Sequence, residues 1–241
     1  PKNSKKKFFV DYSLVYNSAV KNFYSQRING NFFEIGSLEN NFTKPDLKKQ
    51  KNEIAFVSNY SLKHSNKSEN EDIVALYLHR LAVKNNIKFN ILPRYRKNSS
   101  VLGEEKFFYN KILKNNFKFI LNKNKTSYDL LDSYKYIFAT YSTIAQECLV
   151  KGNRVGFIMF KSKKNPVFKY RFGLYEKLKI NGLFWTASTK LNVVEVERVF
   201  DFVTKTKYSK WIKKTEPYSK KIMNFDYKNK IFKKIIKKYK S

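Results

Sequence analysis

From residue 54 onward, short apolar runs alternate with amphipathic stretches at a spacing that fits repeated strand and helix units. Ile54-Ala55-Phe56-Val57-Ser58 is a compact apolar run without polar alternation, the pattern of a strand covered on both faces. After a polar loop, Ile73, Tyr77 and Leu81 recur every four residues with Val74 and Leu78 beside them, which predicts a helix with one apolar stripe. Glu69, Glu71 and Asp72 suit the positive end of its dipole. Residues 88–92 predict a second strand, stopped by Pro93, which has no N–H for a sheet ladder. A helix from about residue 104 to 113 leads into a third strand at 117–121. A short turn of helix, a strand at 136–139, a helix from 143 to about 150 closed by Gly152 and a fifth strand at 154–160 complete the series. Strands that alternate with helices close through right-handed crossovers, so the expected fold is α/β, a Rossmann-like doubly wound parallel sheet. Ligands of such sheets bind beyond the carboxyl ends of the strands.

Outside this block the pattern weakens. Residues 1–35 read as strand and helix pieces too short for a core of their own. A helix is expected around residues 193–203, followed by Trp211, and Ile231, Ile235 and Tyr239 share one face of a last, lysine-crowded helix. That helix either packs back onto the protein or rests on anionic lipid.

Composition adds several bounds. With 42% hydrophobic and 17% aromatic residues in 241, a full core is available. No apolar run approaches the roughly 18 to 20 residues that cross a bilayer, and the basic start lacks the apolar stretch of a signal peptide. The expectation is a soluble cytoplasmic protein, peripheral at most at the inner face of the cell membrane. Because the chain begins at Pro1 without a methionine, it reads as an excerpt from a longer protein. Cys148 is the single cysteine, and His64 and His79 are the two histidines. Neither a disulfide nor a thiolate metal cluster can form within one chain, and no metal site is expected. Cys148 reads as a small buried hydrophobe and His79 as an ordinary packed histidine.

The formal charge is +31, which attracts nucleic acid, anionic lipid and phosphorylated substrates alike. Lysine far outnumbers arginine and is spread along the chain, a pattern that an AT-rich coding bias produces without any functional demand and that competes with a functional reading of the charge. The few arginines are more informative, because a planar guanidinium grips two phosphate oxygens at once.

The most informative segment is Ala139-Thr140-Tyr141-Ser142-Thr143-Ile144-Ala145-Gln146-Glu147, which leaves a strand and enters a helix at the ligand edge of the sheet. Free N–H groups at Ser142, Thr143 and Ile144, the helix dipole and two hydroxyls suit a diphosphate. Glu147, about one turn further in, could accept sugar or ribose hydroxyls. The competing reading is a capping box between Thr143 and Gln146, which uses the same donors without a ligand. Arg94 and Arg96 follow the second strand at the same edge and either reach the anion or stay solvated. Arg171-Phe172-Gly173 and Gly182-Leu183-Phe184-Trp185-Thr186 follow the fifth strand, where loops can wrap a base or sugar, or simply add aromatics to the core. There is no glycine-rich phosphate loop, no GxGxxG, no metal-spaced histidine pair and no nucleophile elbow, which argues against ATPase, dehydrogenase, metallohydrolase and ordinary hydrolase chemistry.

The order of Gly36-Ser37-Leu38-Glu39-Asn40-Asn41, residues 54–58, Tyr141-Ser142-Thr143 with Glu147 and Gly152, Phe172-Gly173 and Gly182 to Thr186 resembles O-antigen and surface-carbohydrate biosynthesis proteins. Those proteins are similar to GT-B-type glycosyltransferases. The resemblance implies a nucleotide-sugar-binding domain over 36–205, a remnant of the acceptor domain and its linker over 1–35, and a basic helical extension over 206–241. By the same analogy Gly36 and Ser37 lie at the interdomain link, Ser142 and Thr143 at the donor phosphates, and Glu147 at donor hydroxyls. Arg94 falls where relatives carry a basic residue or a histidine. The implied substrates are a nucleotide sugar and a glycan or lipid-linked acceptor, with no permanently bound cofactor, no metal and no catalytic residue named. The alternatives are a basic nucleic-acid-binding module, with phosphate attraction and base stacking, and a non-catalytic scaffold of a polysaccharide assembly complex.

Overall fold

The computed structural model describes residues 7–61, 71–95, 99–114, 116–121, 124–160 and 181–240. Along them run β1 (Phe8–Val15), α1 (Ser18–Tyr24), β2 (Ile28–Glu34), β3 (Lys51–Val57), α2 (Glu71–Lys84), β4 (Lys88–Leu92), α3 (Val101–Leu113), β5 (Lys118–Phe119) and α4 (Ser127–Asp132). Then follow β6 (Tyr134–Ala139), α5 (Thr143–Val150), β7 (Arg154–Phe160), β8 (Asn181–Gly182), β9 (Trp185–Ser188), α6 (Val193–Lys205), α7 (Tyr208–Ile222) and α8 (Lys230–Lys240).

Seven strands form one sheet in the order β5-β4-β3-β6-β7-β9-β8, parallel except where β8 meets β9. The central strands are the apolar runs of the sequence, and Ile54, Ala55, Phe56, Ile137, Phe138 and Ala139 are all fully buried between the helix layers. From β3 the chain steps outward through β4 and β5, whereas from β6 it steps the other way through β7 and β9. The direction of winding therefore reverses between β3 and β6, and the carboxyl ends of those two strands splay open. The expected doubly wound α/β class is the one observed.

Three local differences have physical causes. Helix α3 starts at Val101 rather than near 104, because Gly103 faces open space and interrupts nothing. It ends where Lys114 turns left-handed and donates its N–H to Asn110. Strand β5 is shorter than residues 117–121, since it pairs only with β4 at the sheet edge. Residues 182–186, expected to be loop, instead form a tight antiparallel pair in which Gly182 faces Trp185. A Cβ at Gly182 would lie 2.1 Å from the indole ring, so only glycine fits. Two strands this short have too few residues to show a period.

Helix α7 belongs to the same core. Trp211 is fully buried, with Phe184 at 6.0 Å and Phe202 at 5.5 Å between ring centroids. The buried packing continues at least to Ile222 and Met223.

The β1-α1-β2 unit is a separate parallel pair that leaves Phe8, Phe9, Tyr12 and Leu14 exposed. Asparagines fasten it to the rest. Asn17 caps α1 by accepting the Val20 N–H at 2.9 Å and donates to the carbonyls of Lys221 and Ile222. Downstream, Asn41 donates to Ile35 O and Asn229 Oδ1 and accepts the Asp226 N–H, which ties the 35–41 link to the segment after α7. Gly36 has φ +70, and a Cβ there would meet Asn224 O at 1.9 Å.

Candidate functional site

Where β3 and β6 part, a cavity of about 660 Å³ opens at the carboxyl edge of the sheet. Val57, Ser58 and Asn59 reach it from β3, Pro93 and Arg94 from β4, and residues 140–143 from β6. Phe157 and Met159 of β7 contribute apolar surface, with Tyr16 from the turn between β1 and α1 and Met223 from just after α7. This size suits a small organic ligand. Among the described residues its lining carries Arg94 and no carboxylate.

The wall formed by α5 is the most polar part. Ser142 is extended, at φ −157 and ψ 125, and its Oγ accepts the Ala145 N–H at 3.3 Å. A serine cap of this kind is worth about 1 kcal/mol. The cap is thus one residue earlier than a Thr143–Gln146 box requires, and it uses only one of the first-turn donors. The N–H groups of Thr143 and Ile144 have no hydrogen-bond partner among the described residues. Below them, Thr140 is almost fully buried and its Oγ1 lacks a partner as well. Across the cavity, Arg94 is exposed and directs Nη1 at the carbonyls of Tyr60 (3.2 Å) and Asn59 (3.5 Å). A guanidinium has five N–H donors, so most of its capacity is left over. A helix N-terminus, an orphaned hydroxyl and a cation therefore line one opening, the arrangement that accommodates an anion.

Behind Asn59 and Arg94 lies a second polar layer. Glu105, fully buried, accepts the N–H groups of Arg94 at 2.9 Å and Tyr95 at 3.2 Å. Glu71, also buried, accepts the Asn59 N–H at 2.6 Å and the Tyr109 hydroxyl at 2.5 Å. Tyr109 Oη is in addition 2.9 Å from Ser58 Oγ. Burial is the main cause that raises both carboxyls, and it pushes Glu71 up to about 7.

Residues 2–240 match the model of one protein family. The chain belongs to the family described as "putative O-antigen biosynthesis protein". No curated protein sequence matches this O-antigen family chain. Its fold is similar to that of solved structures at low identity. One is accessory secretory protein 1, 2 and 3 of Streptococcus pneumoniae, with TM-score 0.56 and 10% identity over 95% of this chain and 43% of the other. A second is the GtfA/B complex, with TM-score 0.51 and 12% identity over 95% and 45%. A third is the wall teichoic acid polymerase TagF, with TM-score 0.50 and 12% identity over 95% and 57%. The chain thus spans about half the length of the structures it resembles. The neighbours carry the GT-B architecture expected from the motif order.

In this O-antigen family chain, Arg94, Tyr141, Ser142 and Thr143 meet around this same cavity. Glu147 does not join them. Its carboxylate accepts the Tyr128 hydroxyl at 2.7 Å, and its carbonyl accepts Asn40 Nδ2 at 2.9 Å, so it braces α4 and the 36–41 link. Trp185 sits in the core of β9, with Phe184 and Tyr218 against its ring, instead of in a sugar-contacting loop. Arg96, Arg171, Phe172 and Gly173 lie outside the described residues. Cys148 is fully buried, its thiol pushed up by that burial, and His79 rests edge-on against Phe89 with a ring nitrogen 2.9 Å from Asn116 O. Sequence reasoning did not single out Thr140, Asn59, Glu71 or Glu105 as functional. Thr140 is within reach as a residue of the turn into α5, but the two glutamates give no such signal, since their partners, main-chain N–H groups and the Tyr109 hydroxyl, lie ten or more residues away in sequence. Among the described residues no cluster of His, Cys, Asp and Glu is placed to hold a metal ion.

Proposed function

We propose that this chain is the donor-binding part of a glycosyltransferase of surface polysaccharide or O-antigen synthesis, with the diphosphate of a nucleotide-activated sugar at the N-terminus of α5. One observation carries the reading: the unpaired N–H groups of Thr143 and Ile144, the orphaned Thr140 hydroxyl and Arg94 all border the cavity at the point where the sheet winding reverses. On transfer, negative charge builds on the leaving diphosphate. The α5 dipole and Arg94 stabilise that charge, each pre-set before the reaction begins. Tyr141 and Gln146 then flank the nucleotide or sugar. The acceptor, glycan or lipid-linked, and the general base would come from the remainder of a longer chain, of which β1-α1-β2 is the edge.

Family membership and the fold likeness to a wall teichoic acid polymerase support this reading. Peripheral contact with an anionic membrane is part of it. Helix α8 has six lysines in eleven residues and no acid, with Ile231 and Ile236 exposed beside them. No helix among the described residues is long and apolar enough to cross a membrane.

The test is a turnover assay of the full-length protein against a panel of nucleotide sugars, with nucleoside diphosphate release as the readout. Release that requires an acceptor and falls at least tenfold in Arg94→Ala is the expected result. A folded protein that turns over no member of the panel, yet binds oligonucleotides tightly at about 150 mM salt, would replace the reading with the nucleic-acid one.

A further inference from the structure

Two glutamates lie just behind the cavity, and neither reaches it. Each instead accepts main-chain N–H groups from the residues that follow a central strand. Glu105, on α3, takes those of Arg94 and Tyr95 after β4. Glu71, at the start of α2, takes that of Asn59 after β3. Tyr109, fully buried and on the same helix as Glu105, contacts Glu71 and Ser58 and so joins α3 to the β3 side.

Burying a carboxyl group is unfavourable unless hydrogen bonds compensate it, and a fold gains little from two such groups in one core. Their placement makes sense through Arg94. Glu105 fixes the backbone that carries this side chain. Glu71 fixes the β3 loop, whose carbonyls at Asn59 and Tyr60 orient the guanidinium. Arg94 is thus held at its root by one carboxyl and at its tip by a loop that the other secures. A long exposed arginine otherwise loses substantial side-chain entropy when a ligand orders it.

We propose that Glu105 and Glu71 are positioning residues that pre-order Arg94 toward the anion in the cavity. This role rests on the donor-site reading above, and it adds the source of that site's preorganisation.

Calorimetric titration of the full-length protein with UDP and with CDP tests it, in wild type, Glu105→Ala, Glu105→Gln, Arg94→Ala and the Arg94→Ala/Glu105→Ala pair. Loss of a preordered charged contact should weaken binding about tenfold in Glu105→Ala. Glu105→Gln, which keeps one acceptor oxygen, should recover part of it. In the Arg94→Ala background the Glu105→Ala change should add less than about twofold, because the group it positions is already gone. A Glu105→Ala effect of equal size with and without Arg94 would overturn the role and leave the donor site standing. Wild-type-like affinity in Glu105→Ala would do the same. If wild type binds neither nucleotide, the donor-site reading fails and this role with it. Should Glu105→Ala lose its thermal unfolding transition, the same comparison is made with Glu105→Gln and its Arg94→Ala pair.

Discussion

Replacing Glu71 by glutamine should change how the stability of the protein depends on pH. In the folded chain the Glu71 carboxyl is pushed up from 4.5 to about 7, first by burial and further by Glu105, against the opposing hydrogen bonds from Tyr109, the Asn59 N–H and Ser58. The folded state therefore holds this proton more tightly than the unfolded one. Its contribution to stability is complete below pH of about 4.5 and is lost as pH rises through about 7. The gap between the two values corresponds to roughly 3 kcal/mol, an upper figure because water and small movements relieve buried charge. Glutamine keeps an acceptor for Asn59 and Tyr109 but has no proton to lose. Urea unfolding of both proteins, run in parallel from about pH 5 to 8, measures the difference, and subtraction cancels the titrations shared by the two chains. Wild type should lose up to about 3 kcal/mol relative to Glu71→Gln across that range. Parallel stability profiles would refute the reasoning.

Two further substitutions test the packing around the site. Lys151 is fully buried, with Nζ 2.8 Å from Asp132 and 2.7 Å from Thr43 Oγ1, so Lys151→Met should cost about 3–5 kcal/mol in denaturant unfolding by leaving Asp132 without its cation. Adding Asp132→Asn should restore part of that loss, and a milder single-mutant effect would mean that water reaches the pair. Gly36→Ala should destabilise by more than about 1 kcal/mol and hasten proteolytic cleavage in the 35–41 link, since its positive φ and the nearby Asn224 carbonyl leave no place for a methyl group. Unchanged cleavage kinetics would show that the link tolerates rearrangement.

The sheet is legible because buried parallel strands announce themselves as short apolar runs: 88–92 and 154–160 coincide with β4 and β7, while 54–58 catches the apolar half of β3 and misses its polar start, Lys51-Asn52-Glu53. The α5 junction was legible for a similar reason, as hydroxyl residues between a strand and a helix mark a capped helix start. What sequence concealed were interactions set by the tertiary fold. Glu147 sits in register with Thr143 on α5, but the direction of the helix turns its carboxylate toward Tyr128. Trp185 reads as a loop aromatic until Gly182 brings the backbone against its ring. Arginine was a mixed guide. Arg94 borders the cavity, while Arg154 is buried between Tyr136 and Tyr208 and donates to Val203 O, and Arg198 secures the carbonyls of Leu183 and Trp185. The 36–41 motif has a structural basis here, since Asn40 and Asn41 are fully buried and fasten the link to α5 and to the C-terminal segment.

The most direct test of the donor site is an amide NMR titration of the full-length protein, labelled with ¹⁵N at threonine and isoleucine and titrated with UDP and CDP. If the diphosphate docks on the first turn of α5, the Thr143 and Ile144 N–H resonances should move furthest and saturate together, and Arg94→Ala should shift the midpoint to higher nucleotide concentration. Saturable binding that leaves those two resonances in place would contradict the account.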